Sequence, residues 1–103
     1  MSPEAQPRSK LWVTVVTAPG CHLCDDARGT LDGLIREGAP LEVSLIDAGS
    51  PAGMALISWH RPALNPLVLV DGAFFSAGRL PRRKLQALID SRRADAGSVP
   101  ARG

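Results

Sequence analysis

Cys21 and Cys24 are the chain's only two cysteines, separated by His22 and Leu23. Their type and spacing point to thiol chemistry. Three residues apart on a helical turn, two side chains occupy neighbouring positions within reach of a disulfide. Apolar β-branched residues precede the pair, Pro19-Gly20 breaks them, and an amphipathic run follows. Cys21 therefore falls at an exposed helix start, with Cys24 one turn in and shielded. A helix N-terminus offers free N–H groups and a positive dipole end, which stabilise a thiolate by about 0.3–2 kcal/mol, or roughly one pKa unit. Asp25 and Asp26 oppose this, each by about 0.5 kcal/mol at ~8 Å in water before salt screening. His22 offsets them when protonated. The balance predicts a moderately acidified Cys21, below the free-cysteine value of about 8.5. Such a thiolate attacks a substrate disulfide, and Cys24 then resolves the mixed disulfide.

Other readings of the pair stay open on the residues alone. Two buried cysteines can lie three apart by chance. A redox-inactive binding module and a thiol sensor or metal-handling protein are further alternatives. For metal, one C-x-x-C supplies two ligands where a closed tetrahedral site needs four, and His22 and His60 are the only nitrogen candidates. No metal site is expected.

The elements that would position the cysteines follow from apolar patterning. Leu11–Thr17 reads as a buried strand, and a helix from about His22 to Glu37 has Leu23, Ala27, Leu31, Leu34 and Ile35 on one face. Gly38 and Pro40 end it. Leu41–Ile46 is a second strand, and Ser50-Pro51 offers an N-cap and first-turn proline for a short helix reaching Trp59. Leu67–Val70 is a third strand, joined by a two-residue Asp71-Gly72 turn to Ala73–Ser76. A last helix starts near Pro81, with Leu85, Leu88 and Ile89 as its buried stripe. The order β-α-β-α-β-β-α predicts an α/β fold, a mixed four-stranded sheet with flanking helices. Strands alternating with helices predict parallel pairing, and the hairpin adds one antiparallel edge strand.

With 103 residues, 45% hydrophobic and 21% charged, the chain fits one domain with a packed core. The domain is expected over residues 10–94. Residues 1–9 and 95–103, rich in Pro, Gly, Ser and Ala, are expected to be disordered tails. A net charge of +2 is too small to mark a nucleic-acid binder. Leu11–Val16 is too short for a membrane span or signal core. A monomer in the cytoplasm, where thiols are held reduced, is the expectation.

Longer stretches bear a likeness to a known family. Strand–Ala18-Pro19-Gly20-Cys21-His22-Leu23-Cys24-Asp25-Asp26-Ala27–helix, then Asn65-Pro66-Leu67-Val68-Leu69-Val70-Asp71-Gly72, then Phe75-Ser76-Ala77-Gly78-Arg79-Leu80, resembles glutaredoxin-like proteins of the thioredoxin fold. The likeness covers roughly residues 11–93. It implies a thioredoxin-like domain of glutaredoxin size, with Cys21 as nucleophile and Cys24 as resolving cysteine. It also implies that Pro66 is the cis-proline facing them, with Asn65 and His22 beside the substrate. The implied activity is dithiol–disulfide exchange with a protein or small-molecule disulfide, fed by a thiol or reductase donor. The implied cofactor is the redox-active disulfide Cys21–Cys24 itself. The chain departs from the family where Thr17-Ala18 precede Pro19-Gly20 and Ala77-Gly78-Arg79 replace a glycine pair. Whether the thiol is glutathione or another low-molecular-weight thiol is left open.

Weaker signals remain. Arg79, Arg82, Arg83 and Lys84 cluster at the start of the last helix, where cations oppose the dipole. They are candidate contacts for an anion or an acidic partner, Arg79 and Arg82 first, against the plainer reading of a solvated face. His60 is expected to fringe the short helix. Trp12 and Trp59 are expected to pack in the core or at its rim, with Trp59 alternatively lining a substrate groove.

Overall fold

The computed structural model describes the backbone of residues 10–102 and the side chains of residues 10–94. Its elements are β1 (Leu11–Thr17), α1 (His22–Arg36), β2 (Leu41–Asp47), α2 (Pro51–His60), β3 (Leu67–Val70), β4 (Ala73–Ala77) and α3 (Arg82–Arg102). This is the expected β-α-β-α-β-β-α order. The four strands form one mixed sheet in the order β2-β1-β3-β4, the arrangement of a small thioredoxin-like α/β fold.

The pairing differs from expectation in one ladder. β1 and β2 run parallel from Leu11↔Leu41 to Thr17↔Asp47, but β3 runs antiparallel to β1 and to β4. The reason lies in the connection. α2 has ten residues, about 15 Å of rise, and the chain turns at Arg61, which is left-handed with φ 49°. Leu67 pairs with Val16, next to the Thr17↔Asp47 pair. β3 thus begins at the end of the sheet where β2 stopped, and can only run back.

The sheet is packed on both faces. On one face Leu11, Val13 and Val15 of β1 pack with Ala27 and Leu31 of α1, Leu85 and Ile89 of α3, and Val68, Val70 and Phe75. On the other, Val16, Leu67 and Leu69 pack under Leu56 and Ile57 of α2. The alternation of β1 residues between faces follows the period of two along a strand.

Several side chains depart from their expected burial. Ile35 is 40% exposed, because the last turn of α1 opens onto a groove over the edge strand β2, beside Leu41, Val43 and Leu45. Trp12, expected in the core or at its rim, is half-exposed. Trp59 is 82% exposed, so it packs in neither core nor rim. In the last turn of α2, Ile57 faces the sheet and Trp59 faces away from it.

The expected tail 1–9 lies outside the described residues. Helix α3 continues through most of the other expected tail, to Arg102, with Gly103 outside the described residues. Once Leu85 and Ile89 hold the first turns against the sheet, added residues other than Pro100, which has no N–H, each gain a hydrogen bond without a new nucleation cost. Arg92, Arg93, Ala94 and Ala96 are good helix formers. No helix among the described residues is long and apolar enough to cross a membrane.

Candidate functional site

β1 ends at Thr17, and the chain reaches α1 through Ala18-Pro19-Gly20. Gly20 has φ +68°, a conformation open to glycine at little steric cost. It aims Cys21 into the N-cap position of α1, extended at φ −98° and ψ 107°. There Cys21 Sγ accepts a hydrogen bond from the Cys24 N–H at 3.1 Å, and the Asp25 N–H donates to the Cys21 carbonyl at 3.2 Å. The sulfur therefore occupies the place that a serine or aspartate oxygen takes in an ordinary cap, against N–H groups that α1 cannot satisfy itself. Cys24 sits one turn deeper, 2% exposed, and the two cysteines are joined as a disulfide with their Cα atoms 5.2 Å apart. His22, Asp25 and Asp26 are exposed around them.

Topology brings the other candidates to the same end of the sheet. The Asn65–Pro66 bond is cis and Pro66 is buried. Its strand begins beside the end of β1, through the Val16↔Leu67 pair. The Pro66 carbonyl accepts from the Gly78 N–H at 3.0 Å, which ties the 77–79 turn to the proline. Across the strand order, β2 brings Asp47 to this end, β1 the cysteine loop, β3 Pro66 and β4 Arg79. Asn65 is exposed next to the proline, and Arg79 and Arg82 lie beyond it, Arg79 and Arg82 both at the surface.

Three features of this end were not legible from local sequence. An open cleft of about 330 Å³ reaches Cys24 between the Thr17–Gly20 loop, Asp25 and Arg28 of α1, and Leu45 and Asp47 at the end of β2. Only the parallel Thr17↔Asp47 pairing brings Asp47 there, and spacing along the chain carries no signal of it. Leu64, 60% exposed, packs over Gly78, where a Cβ would lie 3.0 Å from its Cδ1. Third, β4 bulges opposite Val68 and Leu69, so Phe75 is the extra residue. A bulged residue loses its ladder partner, and the Phe75 carbonyl instead accepts from Lys84 Nζ at 3.3 Å, with the ammonium 5.0 Å from the Phe75 ring centroid. Lys84 is thereby drawn onto β4, which sets it apart from Arg79, Arg82 and Arg83.

His60 ends α2, as expected, 6.3 Å from the Phe74 ring. Among the described residues, no group of three or more His, Cys, Asp or Glu side chains is placed to hold a metal ion. No protein-family model matches this chain, and no curated protein matches it.

Proposed function

We propose that the protein is a dithiol–disulfide oxidoreductase of glutaredoxin-like type. One observation carries the reading: Cys21 Sγ caps α1 while Cys24 lies one turn deeper at disulfide distance. Two buried structural thiols would not need one sulfur at a helix mouth. A pure binding module has no chemical need for the pair.

In the reductive direction, the Cys21 thiolate attacks one sulfur of a substrate disulfide. The substrate S–S bond breaks, the first substrate sulfur leaves as a thiolate and takes up a proton, and a mixed disulfide to Cys21 remains. Cys24, deprotonated, attacks Cys21 Sγ and expels the second substrate sulfur. Two electrons pass from the protein dithiol to the substrate, and the Cys21–Cys24 disulfide is left. A thiol or reductase donor, glutathione or another low-molecular-weight thiol among the candidates, restores the dithiol. Pro66 and Asn65 lie against the substrate beside the disulfide, with His22 next to Cys21. A reducing cytoplasmic setting, and a protein or small-molecule disulfide as substrate, complete the reading.

A disulfide-reduction assay on wild type, Cys21→Ser and Cys24→Ser tests it. Turnover is lost entirely in Cys21→Ser, and Cys24→Ser accumulates a mixed disulfide visible by mass. Unchanged turnover in Cys21→Ser would sink the reading.

A further inference from the structure

The end of the sheet that bears the disulfide is electrically lopsided. On the α1 side Asp25 and Asp26 are exposed beside Cys21, with Asp47 and a single cation, Arg28, at the adjoining cleft. On the β4 side Arg79, Arg82 and Arg83 are exposed, and among the described residues none of them makes an ion pair. Lys84 is held on the Phe75 carbonyl and ring, so among the described residues three guanidinium groups remain without a counter-charge. The Gly78–Pro66 hydrogen bond anchors the start of this run next to the cis-proline. In the strand order, Arg79 follows β4 and Cys21 follows β1, with Pro66 between. The strands they follow, β4 and β1, are two strand spacings apart, about 10 Å. At about that range, and with water on one side, charges still act on one another within a Debye length.

Resting on the oxidoreductase reading, we infer that the preferred substrate is a polypeptide disulfide whose flanking segment is acidic, seated across Pro66 with its carboxylates toward Arg79, Arg82 and Arg83. A guanidinium holds a carboxylate through two parallel hydrogen bonds. Three of them spread over a turn and the first turn of α3 match a run of acidic side chains better than the one or two carboxylates of a small thiol. Basic flanks are disfavoured on this side by the same charges. The chemistry is that of the two exchange steps above, with the peptide disulfide reduced and the Cys21–Cys24 pair oxidised.

Single-turnover reduction tests this with pre-reduced protein and three peptides. Each carries the same Cys-Gly-Ser-Cys disulfide ring, flanked by Glu-Glu, Gln-Gln or Lys-Lys. The acidic peptide reacts faster than the neutral one and the basic peptide slower, and the spread closes at high salt. Arg79→Glu lowers the acidic-to-basic rate ratio by about threefold, and Arg79→Glu with Arg83→Glu by about tenfold. Arg36→Glu makes the same charge change at the far end of α1 and leaves the ratio within error, which separates a local effect from one of net charge. Equal rates for all three peptides, or a ratio that Arg36→Glu lowers as much as Arg79→Glu, overturn the inference while the oxidoreductase reading stands. A neutral peptide left unreduced overturns both.

Discussion

Cys21 does two jobs with one atom. Its sulfur satisfies an N–H that α1 would otherwise leave unpaired, and the same N–H groups favour negative charge there. We predict that the cap persists on reduction and that the helix N-terminus holds the reduced Cys21 below the free-cysteine value of about 8.5. Thiolate absorbance against pH in the Cys24→Ser variant checks this, and a midpoint at or above the free value contradicts it. The sign for stability follows. A lowered folded pKa stabilises the reduced protein fully above the unfolded value, and the gain fades as pH falls through Cys21's own, lower value. Lys84 shows the reverse case, a charge whose work is structural. It closes a carbonyl released by the bulge at Phe75. Lys84→Met is predicted to lower stability by about 1 kcal/mol and to leave the acidic-to-basic rate ratio nearly as it was.

At the scale of elements, the glycines separate packing from propensity. Gly53 sits in the first turn of α2, where its N–H donates to the Ser50 cap at 3.0 Å. A Cβ there would meet the Asp47 carbonyl oxygen at 2.1 Å. The obstacle is backbone, so it cannot swing aside, and Gly53→Ala is predicted to destabilise by about 2 kcal/mol as α2 is pushed off the end of β2. Gly29 lies in the middle of α1, and a Cβ added there would meet nothing within 4 Å. Gly29→Ala is predicted to stabilise by about 0.5–1 kcal/mol, because alanine loses less backbone entropy in a helix. Urea midpoints of the two variants should move in opposite directions. A Gly53→Ala midpoint that does not fall would contradict the close approach of α2 to the Asp47 backbone.

Across the whole molecule, Arg92 ties several elements together at the end opposite the disulfide. Arg92 of α3 pairs with Asp71 in the β3–β4 turn at 2.6 Å and donates to the Lys10 carbonyl at the start of β1. Asp71 in turn accepts from the Trp12 N–H. Three elements far apart in sequence meet there, so Arg92→Ala is predicted to lower stability by about 1 kcal/mol, since the pair is partly exposed and partly screened. A double-mutant cycle with Asp71→Asn isolates the pair, and a coupling near zero would show it to be ornamental to stability. Much of the rest could be read from the sequence, because strand and helix periods, the Ser50 cap and the Asp71-Gly72 turn are local preferences. So could the cysteine pair at a helix start, since Pro19-Gly20 and the apolar runs on either side fix it within a few residues. The direction of β3, the bulge that claims Lys84 and the arrival of Asp47 beside Cys24 came only with the tertiary structure. Each depends on which strands hydrogen-bond and in what register, and those pairings join residues whose separation along the chain carries no local signature.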